Sequence, residues 1–110
     1  MEVILTKNAD KLICLIYKEY LRRCSNGVAK AQAVNFDVGG ENCDAFNDFP
    51  KQDFSATLRE LKDAGMLKVY IYDDFKLEPA GIIYMEQRFP NGISQVLDWL
   101  AKLKNAIPFA

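Results

Sequence analysis

Apolar positions recur along the chain with two different periods, and the change between them marks out the elements. Leu12, Ile13, Ile16, Tyr17, Tyr20, Leu21 and Cys24 return at helical spacing. Asn8 is placed to cap that run and Gly27 to end it, so a first helix is predicted from about Ala9 to Ser25. Its opposite side carries Lys11, Lys18 and Arg22, brought onto one stripe by helical spacing. A weaker second helix is expected from Val28 to Phe36, and Gly39-Gly40 breaks it. The connection that follows, up to Pro50, is polar and acidic, with Asp37, Glu41, Asp44 and Asp48. It is longer than most loops in compact domains, and holds either an extra turn around Cys43 to Phe46 or a mobile functional loop.

Pro50 suits the first turn of a third helix, in which Phe54, Leu58 and Leu61 face inward until Ala64-Gly65 closes it. The period then drops to two. Leu67 to Tyr72 alternates with β-branched and aromatic residues, Asp73-Asp74 supplies a turn, and Phe75 to Leu77 returns antiparallel as a two-stranded wing. Pro79 opens a fourth helix with Ile82, Ile83 and Met85 available for packing, and Phe89-Pro90-Asn91-Gly92 interrupts it. A last helix runs from Ile93 to about Ala106.

This order predicts an α+β fold of the winged helix-turn-helix type: three helices, a two-stranded wing, and one or two C-terminal helices. A plain mixed-helix domain is the alternative. One domain is expected over 1–110, with its core in about 8–89 and a C-terminal helix at about 93–106, because 110 residues give room for one modest core.

Composition changes this picture mainly by exclusion. Half the residues are apolar or aromatic and 26% are charged, ordinary values for a folded chain. The stretch Val3-Ile4-Leu5 is too short for a signal-peptide core, and no apolar run reaches membrane-spanning length, so no membrane association is expected. Three cysteines, Cys14, Cys24 and Cys43, are odd in number, and Cys14 sits within the apolar pattern of the first helix, which points to a reducing cytoplasm. With no histidine and no paired Cys/His spacing, no metal site is expected. Ser25, Ser55 and Ser94 lack a histidine to activate them, so neither an enzyme nor a cofactor is expected.

Two segments resemble a known pattern. FSATLRELKDAGML, from Phe54 to Leu67, is similar to the third helix and first wing strand of winged-helix regulators, which often end Leu-x-x-x-Gly-hydrophobic. LEPAGIIYME, from Leu77 to Glu86, is similar to the segment after the wing, commonly Leu-Thr-x-x-Gly-x-x-Tyr-Leu-Glu. ISQVLDWLAK, from Ile93 to Lys102, extends the likeness toward the YjcQ-like family of small bacterial and phage winged-helix proteins. The chain departs from the pattern at Glu78, where threonine is usual, and in the long connection from Gly39 to Phe49. The resemblance implies a regulator-like fold and, through it, transcriptional regulation.

In such a fold the third helix would meet a DNA major groove with Lys51, Gln52, Ser55, Arg59 and Lys62. Asp53, Glu60 and Asp63 balance those cations, so a solvated face laced by local ion pairs is the competing reading. Lys18 and Arg22, with Arg23, form the densest basic cluster and would contact a nucleic-acid backbone or an acidic protein surface. Asp73-Asp74 would meet phosphates with like charge, and good turn chemistry explains the pair more simply than catalysis does. Double-stranded DNA is therefore the expected partner, with a protein-interaction module as the alternative. On the last helix Val96, Trp99, Leu100 and Leu103 form an apolar stripe expected to pair two copies as a homodimer.

Overall fold

The computed structural model describes residues 4–36, 46–47 and 49–106, with side chains through Lys102 other than Tyr72. In chain order the elements are α1 (Lys7–Ser25), α2 (Lys30–Ala33), β1 (Asn35–Phe36), α3 (Lys51–Asp63), β2 (Leu67–Val69), β3 (Phe75–Leu77), α4 (Pro79–Arg88) and α5 (Ile93–Ala106). The fold is a small α+β domain of five helices and one three-stranded antiparallel sheet, ordered β1-β3-β2. The expected residues Asp37, Glu41, Cys43, Asp44 and Asp48 lie outside the described part.

Helix α1 is the central strut, and Leu12, Ile13, Cys14 and Ile16 are fully buried between α3, α4 and α5. Its cap is Thr6 rather than the expected Asn8: Thr6 Oγ1 accepts the Ala9 N–H at 3.2 Å, and the helix starts two residues earlier than predicted. Gly27, at φ +89°, takes the left-handed conformation that lets the chain leave the last turn.

The predicted second helix is only half right. It ends at Ala33, and Asn35–Phe36 instead pairs with β3, so the sheet has three strands rather than two. The reason is tertiary: Phe36 lies opposite Phe75 with their rings stacked 4.7 Å apart, a packing gain that local helical periodicity does not register. Phe46, Phe49 and Phe54 close around the same spot and make it the aromatic half of the core.

Helix α3 buries Phe54, Thr57, Leu58 and Leu61, as its periodicity requires. β2 stops at Val69, short of the predicted Tyr72, because Ile71–Asp73 coils into a 3-10 turn. Asp73 closes that turn at φ 61°, a conformation aspartate tolerates better than bulkier residues. Pro79 starts α4 as expected, and Glu78, where the resembling pattern has threonine, provides no side-chain cap.

The apolar stripe assigned to pairing needs correction. Val96 is fully buried in the domain's own core, and Trp99 and Leu100 pack partly buried against it; the Leu103 side chain lies outside the described part. The reason is the seat of α5 on α1, which takes the Val96, Trp99 and Leu100 face inward and leaves Ile93 and Leu97 outside.

Candidate nucleic-acid interface

Because Phe54, Leu58 and Leu61 turn inward, the residues between them turn outward. Lys51, Gln52, Arg59 and Lys62 are all exposed. Among the described residues the side chains of Lys51, Arg59 and Lys62 make no ion pair, so the local neutralisation open to them along the helix does not form.

The carboxylates of this region are instead used elsewhere. Glu60 accepts the Thr6 backbone N–H at 3.0 Å and the Thr6 hydroxyl at 2.7 Å, which clamps the start of α1 to α3. Asp73 accepts the Ser55 hydroxyl at 3.2 Å, fastening the hairpin turn to α3. Ser55 is thereby half-buried and committed to an internal partner, which corrects its place among groups facing a ligand. On the hairpin, the Lys68 ammonium lies 5.4 Å from the centre of the Tyr70 ring. Tyr70 and Ile71 are exposed there, Ile71 to 76%.

Lys18 and Arg22 are not brought to this surface. They line a groove against α5, to which α3 contributes no residue. The Arg22 guanidinium donates to Glu19 at 2.6 and 2.7 Å, and Arg23 reaches the same carboxylate at 3.3 Å. Those hydrogen bonds, Arg22's above all, hold the Glu19 carboxyl below its ordinary range despite its burial. Arg23 also donates to the Asn35 carbonyl at 2.7 Å and covers the Phe36 ring at 4.2 Å, so it ties α1 to β1. Deeper in α1, burial pushes the Cys14 thiol up to about 12, leaving an inert apolar group.

No family model, curated protein or solved structure gives a significant match to this chain. The motif likeness in α3 and α4 thus stands without a family behind it. Among the described residues, no helix is long and apolar enough to cross a membrane, and no three metal-ligating side chains gather.

Sequence reading missed the two clamps, Thr6–Glu60 and Ser55–Asp73, because each joins residues 54 and 18 positions apart. It also missed the outward apolar pair Ile93 and Leu97. Their spacing of four was visible, but which face of α5 met α1 was not.

Proposed function

We propose that the chain is a small DNA-binding module of the winged-helix, regulator-like kind, with α3 as the helix presented to the duplex and the β2–β3 hairpin as its wing. One observation carries the reading: Lys51, Arg59 and Lys62 stand exposed on α3 without carboxylate partners, while Glu60 and Asp73 are bound within the fold. Backbone phosphates are the chemistry that unpaired cations in a row attract, and Gln52 beside them offers an amide able to read a base edge. The Ser55–Asp73 bond supports the same reading by fixing the hairpin relative to the helix, since a preset geometry lowers the ordering cost of binding.

A second reading has its own observation. The hairpin tip presents Tyr70 and Ile71 beside Asp73 and Asp74, an apolar and acidic combination suited to a protein partner rather than to phosphates.

A shift assay with a random-sequence duplex, at low and at moderate salt, separates the two. The DNA reading requires binding at low salt that weakens as salt rises. Absence of any shift at low salt rejects it and leaves the protein-interaction reading.

A further inference from the structure

Away from α3, the C-terminal half of α1 and the N-terminal half of α5 enclose an open groove of about 610 Å³. Lys18, Leu21, Arg22 and Ser25 line it from one face of α1, and Ile93 and Leu97 line it from α5. Its floor is apolar: Leu21 and Cys24 are partly buried against the core, while Ile93 and Leu97 are 40% and 45% exposed. Its charge has one sign. No carboxylate lines the groove, and the only one at its α1 wall, Glu19, is shared by Arg22 and Arg23 and leaves the cations in excess.

We infer that this groove docks an acidic amphipathic helical segment of another protein. The apolar pair Ile93–Leu97 and the residues Leu21–Cys24 form two short ridges, between which the apolar side chains of a helix would seat. Lys18 and Arg22, one turn apart on the α1 side, meet carboxylates flanking that apolar face. A second copy of this chain fits less well, because two-fold pairing over the groove sets each copy's cationic side against its mate's. The inference holds whichever partner α3 takes, since the two surfaces share no residue.

The test uses the full chain and a labelled helical peptide of about 16 residues, with leucines four apart on one face and glutamates beside them. Fluorescence anisotropy reads binding, and site-resolved mass spectrometry reads the alkylation of Cys24, whose thiol lines the groove. Binding is expected to protect Cys24. Lys18→Glu should weaken it about five-fold at low salt, an effect that shrinks as salt screens the charges. Leu97→Asp should weaken it at least ten-fold, by removing buried apolar area, with an unchanged melting temperature because the residue is half-exposed. Equal binding by a lysine-for-glutamate peptide overturns the proposal. So does protection of Cys24 by sodium dodecanoate where the acidic peptide gives none, which assigns the groove to a lipid-like ligand. A dimeric mass at tens of micromolar, abolished by Leu97→Asp, overturns it in favour of a second copy.

Discussion

Gly81→Ala adds one methyl group in a helix, where alanine normally stabilises by about 0.5–1 kcal/mol over glycine. Here the sign should reverse. Gly81 is the third residue of α4 and is buried, and a Cβ placed on it falls 2.7 Å from the Met66 carbonyl oxygen, 3.2 Å from Met66 Cα and 3.1 Å from Leu77 Cδ1. The Leu77 methyl can turn aside, but the Met66 backbone cannot move alone. Its carbonyl accepts the Glu78 N–H at 2.9 Å and its own N–H donates to the Leu61 carbonyl at 3.0 Å, so a shift loosens the end of α3 as well as the start of α4. Overpacking of this kind costs about 1–3 kcal/mol, which exceeds the helix gain and leaves a net loss of about 1–2 kcal/mol. For a domain of this size that lowers the melting temperature by about 4–8 °C. Thermal unfolding followed by circular dichroism measures it, with the exposed neighbour Ala80→Gly as a control that reports helix propensity alone. A Gly81→Ala protein that melts at or above the parent temperature would refute the close approach of α4 to the chain leaving α3.

The other expectations follow from burial and charge. Leu58→Ala and Leu61→Ala, both at fully buried positions, should each cost about 2–5 kcal/mol in urea unfolding; two unchanged midpoints would mean α3 is wrongly oriented. Glu19 is held below its ordinary range by Arg22 and Arg23, so its contribution is complete above the unfolded carboxyl value, about pH 4.3, and fades as pH falls through the folded one. Glu19→Gln should therefore be less stable than the parent at neutral pH and lose less on acidification, and parallel pH profiles for the two would contradict the pairing. In a thiol-labelling time course, Cys24 should react in the native protein while Cys14 reacts only after unfolding; equal rates would show that α1 is not buried as described.

The helices were legible where local pattern and tertiary packing agree. Phe54, Leu58 and Leu61 are spaced for one helical face and are all buried, and Pro79 opens α4 at the residue where its lost N–H costs nothing. Phe36 was illegible because its role is set by Phe75, 39 positions away by numbering, and nothing near it announces a strand. The candidate surface divides in the same way. The exposure of Lys51, Arg59 and Lys62 follows from helical period alone, whereas their lack of partners depends on where Thr6 and Asp73 draw other polar groups. Ser55 shows the difference: it shares the outward side by period, yet its hydroxyl is claimed by a turn 18 residues on.

The most direct test of the account is the salt dependence of duplex affinity in the parent protein, Arg59→Ala and Lys102→Ala. If Arg59 neutralises a phosphate, its removal should weaken binding at every sequence and reduce the slope of log affinity against log salt by about 0.9, while Lys102→Ala, on α5, leaves the slope alone. An unchanged slope in Arg59→Ala, or a larger loss in Lys102→Ala, would contradict α3 as the face that meets DNA.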